Sequence, residues 1–161
     1  MPLSPLDSRV YGPLFSDPEV NALFSDERRV AAMLRVEGAL ARAQAEAGLV
    51  PPEAAARIAD VASKLDVDLD ALAAATERAG FPVLGLVEQL RAAAGAHADW
   101  VHWGATTQDV LDTALALQLR DALRPIEAHL RGLVARLAAL ADAHRGTLLA
   151  ARTHGQQALP T

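Results

Sequence analysis

Residues 107–143 read TQDVLDTALALQLRDALRPIEAHLRGLVARLAALADA. Within them Leu115, Leu119, Ala122, Ile126, Leu130, Leu133, Leu137 and Leu140 recur at steps of three and four. That spacing lays apolar side chains along one narrow, coiled-coil-like stripe of an α-helix. At 1.5 Å per residue the segment is a rod of roughly 55 Å. Pro125 is expected to kink it or to remove one hydrogen bond. A rod this long cannot bury its seam within one small domain. It asks for partner helices, from more of the same chain or from other subunits.

Upstream, helical signals continue. Met1 to Ser16 is punctuated by Pro, Ser and Gly and reads as an extended arm, after which Asp17-Pro18 looks like an N-cap followed by proline at the first helical position. A short helix to Phe24 follows. Ser25 or Asp26 caps a longer helix to about Ala47, with Val30, Met33, Leu34, Ala41 and Ala45 near helical spacing. Gly48 and Val50-Pro51-Pro52 make the turn. Glu53 to Lys64, Asp70 to Ala79 and Val83 to Ala94 read as three shorter helices. Gly80-Phe81-Pro82 separates the last two, Gly95 to Ala105 reads as a loop, and so does Leu148 to Thr161.

Of the 161 residues 52% are hydrophobic but only 4% aromatic, so the core must rest on Leu, Val and many Ala. Small side chains let helices approach closely, and the fold class is all-α. Net charge is −5, which favours neither nucleic acid nor an anionic membrane as partner. The absence of cysteine excludes disulfides, thiolate zinc sites and cysteine nucleophiles. The start of the chain lacks the basic patch and apolar run of a signal peptide. No uncharged stretch approaches the ~20 residues of a membrane span. The expected location is the cytoplasm.

Two stretches carry candidate chemistry. His102-Trp103-Gly104-Ala105-Thr106-Thr107-Gln108-Asp109 sets a histidine and two hydroxyls at the start of the long helix. Unpaired N–H groups and a partial positive charge there suit a carboxylate or phosphate. The same residues also read as a plain N-cap by Thr107, with Asp109 complementing the helix dipole. His102, between Trp100 and Trp103, reads equally as a hydrogen-bonded packing residue. Arg152-Thr153-His154-Gly155-Gln156-Gln157 carries a titratable group among amide and hydroxyl donors, suited to proton transfer; it also reads as a surface loop. No two histidines fall at i, i+4 with a carboxylate, and Asp66-Val67-Asp68-Leu69-Asp70 lacks the glycine and terminal Glu of a calcium loop. No metal or cofactor is expected.

The first stretch, with Asp112-Thr113 and Leu117-Gln118-Leu119-Arg120, resembles the first conserved block of the fumarase/aspartase/adenylosuccinate lyase superfamily. Arg152 to Thr161 resembles the second block. Phe24-Ser25-Asp26 and Val36-Glu37-Gly38-Ala39-Leu40-Ala41 are similar to the superfamily's N-terminal half, so the likeness covers nearly the whole chain. Trp103 and Gln108-Asp109-Val110 are most similar to the 3-carboxy-cis,cis-muconate cycloisomerase branch. Adenylosuccinate lyases usually carry an upstream Arg-His-Asp-Val; Gly80 to Val87 here holds no histidine.

The resemblance implies an L-aspartase/fumarase-like fold. Residues 1–105 would form a small N-terminal helical domain, and residues 106–161 would begin a central bundle. It implies Thr106 and Thr107 as carboxylate binders and His154 as a proton-transfer residue. Thr153, Gln157, His102 and Arg9 would be further substrate contacts. The implied ligand is a small polycarboxylate, without cofactor, and the implied assembly is a homotetramer with active sites shared among subunits. The implied activity is lactonisation in aromatic catabolism, by the protocatechuate/β-ketoadipate route. Adenylosuccinate lyase or another fumarate-releasing lyase is the alternative, and a non-catalytic oligomerisation module a second one. The superfamily's third block, a serine loop supplying the base, would lie beyond Thr161. The isolated chain is therefore expected to be inactive.

Overall fold

A computed structural model describes residues 4–160; Met1–Leu3, the start of the expected arm, and Thr161, the end of the second block, lie outside them. The chain is built from helices: α1 (Gly12–Phe15), α2 (Pro18–Leu23), α3 (Asp26–Glu46), α4 (Pro52–Ala62), α5 (Leu69–Ala79), α6 (Val83–Ala94) and α7 (Thr107–Ala143). One two-residue hairpin, β1 (Arg152–Thr153) and β2 (Gln156–Gln157), follows. None of the helices is long and apolar enough to cross a membrane.

Helix starts follow local chemistry. The Asp17 carboxylate accepts from the N–H groups of Glu19 and Val20 at 2.9 and 3.0 Å. Ser25 Oγ accepts from Arg28 at 3.3 Å, and Asp68 from Ala71 at 2.9 Å. Each satisfies a donor that the helix itself cannot. Gly80 ends α5 at φ +82°, a conformation costly for a residue with a Cβ.

The arm differs from its extended reading. Pro5–Asp7 forms a 3-10 turn and Gly12–Phe15 a helical turn, because Pro5 and Pro13 preset φ for helix and Ser8 Oγ accepts from the Tyr11 N–H at 3.1 Å. The expected loop from Gly95 also differs: after Gly95, at φ +64°, the chain tightens into a 3-10 turn to Trp100.

The chain divides into two compact units, residues 1–122 and 123–161. The first holds the core. In it α3 packs along α4, α4 against α6, and α6 against α5 and the 3-10 turn. Met33, Ile58, Leu86, Leu90, Val83, Val101 and Val110 are fully buried, each contributing about 1.5–3 kcal/mol of transfer free energy. Two glycines allow close approach. A Cβ on Gly38 would lie 3.4 Å from the Ala59 Cα, and one on Gly85 only 2.6 Å from the Ala75 Cβ. The first turns of α7 join this core through Val110 and Ala114, and Gln118 donates to the Leu23 carbonyl at 2.9 Å. The first unit therefore includes the start of α7, to residue 122.

In the second unit no described residue is buried. α7 continues through Pro125 without interruption. The Leu seam is exposed: Leu130 is 54% and Leu137 56% accessible.

Candidate active site

The start of α7 is built by two side chains that cap each other. The Thr106 N–H and hydroxyl both donate to Asp109 Oδ2, at 3.0 and 2.9 Å. The Asp109 N–H returns toward Thr106 Oγ1 at 3.5 Å. This is a capping box with Asp in the third helical position. The N-cap is thus Thr106; Thr107, read as the cap from sequence, is the first helical residue. The reason is the turn at Gly104, φ +65°, which delivers the chain to the helix one residue earlier. The two bonds from Thr106, with the charge of His102, hold the Asp109 carboxyl below its ordinary value. The Asp109 carboxylate already satisfies part of the helix end. The Thr107 hydroxyl makes no hydrogen bond among the described residues.

The turn before the helix is held residue by residue. Arg91 Nη2 donates to the Val101 carbonyl at 3.3 Å. His102 Nδ1 lies 2.6 Å from Glu37 Oε1. The Gln44 side-chain amide donates to the Trp103 carbonyl. The Trp100 and Trp103 rings pack with centroids 5.3 Å apart, tilted by 55°. The anchors on either side, from Arg91 and Gln44, flank His102 at φ +60°, a conformation that costs a non-glycine residue roughly 1–2 kcal/mol.

Glu37 is the residue that the sequence reading missed. It is 1% exposed, on the face of α3 that also buries Met33, Leu34 and Ala41. Burial raises its pKa, opposed by the hydrogen bond and charge of His102 and by the charge of Arg91. The signal was present: a carboxylate stands in the apolar register Met33, Leu34, Glu37, Ala41. Gln44, seven residues on, shares that face.

The C-terminal candidates lie in the second unit. Thr153 sits on β1, Gln157 on β2, and His154-Gly155 is the turn between them. The expected loop is therefore a hairpin, in register Arg152 with Gln157 and Thr153 with Gln156. His154 and Gly155 have φ +49° and +72°; positive φ at both central residues is the type I′ geometry that matches strand twist. All three candidates are exposed. Arg9 is also exposed, in the arm of the first unit. The structure thus gathers His102, Thr106 and Thr107 at one helix start, and Thr153, His154 and Gln157 on one hairpin. Among the described residues no cluster of three or more His, Asp or Glu is placed to hold a metal.

A family model described as "Lyase" matches residues 16–161. A fumarate lyase from Mesorhizobium sp. BNC1 is 46% identical with a TM-score of 0.86, over 91% of this chain and 34% of that one. The 3-carboxy-cis,cis-muconate lactonizing enzyme of Pseudomonas putida is 42% identical with a TM-score of 0.86, over 95% of this chain and 36% of that one. An N-acetyl-S-(2-succino)cysteine lyase of Enterococcus italicus is 41% identical over 91% of this chain and 32% of its own length. The chain spans about a third of the length of these relatives.

Proposed function

Since the chain belongs to the lyase family, in the superfamily of fumarase, aspartase and adenylosuccinate lyase, we propose that it is the N-terminal portion of a cycloisomerase acting on 3-carboxy-cis,cis-muconate or a close polycarboxylate. The supporting observation is the 42% identity, over 95% of this chain, with the Pseudomonas putida lactonizing enzyme. The chemistry suits the residues. One substrate carboxylate attacks the neighbouring double bond and forms the lactone C–O bond. The displaced electron pair moves to the adjacent carbon, which takes a proton from His154. Thr107 and the N–H groups of the first turn of α7, which Thr106 caps through Asp109, hold a carboxylate that stays out of the ring. His102, Thr153, Gln157 and Arg9 make further contacts. No organic cofactor takes part.

Remaining catalytic groups come from outside these residues, so the 161-residue chain alone gives no turnover. The complete protein assembles as a homo-oligomer in the cytoplasm. A second reading, a lyase cleaving a succino compound, is favoured by the 41% identity with the Enterococcus italicus enzyme. One assay on the full-length protein separates the two: loss of conjugated-diene absorbance from 3-carboxy-cis,cis-muconate against appearance of fumarate from succino compounds such as adenylosuccinate. Diene loss supports the cycloisomerase. Fumarate release without diene loss replaces it with the lyase.

A further inference from the structure

Glu37 is an expensive residue where it stands. An apolar side chain would lose no hydration between Met33 and Ala41, whereas a carboxylate does. Its second oxygen, Oε2, is buried without a hydrogen-bond partner, so the group is not there for stability alone. What it holds is specific. Oε1 meets His102 Nδ1 at 2.6 Å, shorter than an ordinary N–H···O bond. The backbone on either side of His102 is pinned independently, by Arg91 to the Val101 carbonyl and by Gln44 to the Trp103 carbonyl. The turn therefore needs no side-chain anchor at His102 to keep its path. The Glu37 bond adds one thing to it: the orientation of the imidazole. With Nδ1 turned toward the core, Nε2 lies on the opposite edge of the ring, and it makes no hydrogen bond among the described residues. The His102 side chain is 17% exposed, and its charge reaches Asp109 at the start of α7.

We propose that Glu37 is a positioning residue: it accepts the Nδ1 proton of His102, locks the ring, and presents Nε2 to a ligand carboxylate bound at the start of α7. Nδ1 carries a proton whether the ring is neutral or charged. Glu37 touches no ligand and acts only through His102. The part of this inference that concerns ligand binding rests on the polycarboxylate reading above; the part that concerns the ring does not.

Two variants of the full-length protein separate positioning from packing. Glu37→Gln keeps shape and an acceptor oxygen. Glu37→Met keeps volume and removes the acceptor. Solid-state NMR with ring-¹⁵N histidine reads the proton on Nδ1, the His102 signal being assigned by its loss in His102→Gln. Calorimetry with tricarballylate, a saturated tricarboxylate, reads binding. The wild type and Glu37→Gln are expected to show a protonated, hydrogen-bonded Nδ1 and Kd values within about threefold of each other. Glu37→Met is expected to lose the Nδ1 signature and to bind about tenfold or more weakly, at an unchanged or higher Tm.

An unprotonated Nδ1 in the wild type overturns the proposal, and that result needs no variant to fold. Equal loss of binding in Glu37→Gln and Glu37→Met also overturns it, as does a Glu37→Met protein with wild-type Kd. If the wild type ignores tricarballylate, the polycarboxylate reading fails, and the NMR result alone decides the role of Glu37.

Discussion

Thr106 and Thr107 are neighbours with different tasks. Thr106 spends its hydroxyl and its N–H on Asp109, so Thr106→Ala removes a cap and is expected to cost about 1 kcal/mol in denaturant unfolding. The Thr107 hydroxyl has no such bond. Thr107→Val is expected to leave stability within about 0.5 kcal/mol and to weaken polycarboxylate binding about tenfold by calorimetry. The reverse pattern would exchange their roles. Glu37 supplies a pH test. Burial raises its pKa, with His102 and Arg91 opposing. A carboxyl raised on folding contributes stability that is complete below its unfolded value and is lost as pH rises through its folded value. Glu37→Gln stays neutral throughout. Its Tm, followed in a pH series from about 4 upward, is expected to fall less steeply than that of the wild type. The two threonines were legible as helix-start chemistry. Their division of labour was not, because it depends on which residue the Gly104 turn delivers to the N-cap.

At the scale of elements, α7 shows how one helix serves two environments. Its apolar positions were read as a single seam through Leu115, Leu119, Ala122, Ile126 and onward. Ala122 is buried, but Leu115 and Leu119 are 44% and 46% exposed. The buried face is Val110, Ala114, Gln118 and Ala122, at steps of four, with Val110 and Ala114 in the core and Gln118 bonded to the end of α2. That stripe is short, small and interrupted by a glutamine, so hydrophobic periodicity alone hid it. The α5–α6 contact gives a sharper test. Gly85 leaves no room for a Cβ beside Ala75, and Gly85→Ala is expected to destabilise by about 1–3 kcal/mol. A Tm equal to the wild type would mean that the two helices separate freely. The hairpin taught the opposite lesson. His154-Gly155 carries a turn signal, but two-residue strands are too short to show an alternating pattern.

On the scale of the whole molecule, one unit has a core and the other has none. The Leu seam from Ile126 to Leu140 is open along its length, a continuous apolar stripe of the kind that marks an interaction surface. Leu130→Glu with Leu137→Glu in the intact protein is expected to lower the assembled mass in light scattering while the helical signal of the first unit persists. An unchanged mass would show that the seam is covered from within the chain. What the sequence by itself determined was everything written in neighbouring residues: the all-helical class, the caps at Asp17 and Ser25, the stop at Gly80, the rod after Thr107, and the hydroxyls at its start. These follow from periodicity and side chains bonding to their own backbone. Tertiary structure alone decided what lies far apart in the chain: the pairing of Glu37 with His102, the clamp from Gln44 and Arg91, and the stripe by which α7 meets the core. Those contacts are settled by packing, where the cost of burying a carboxylate is met only by a partner 65 residues away.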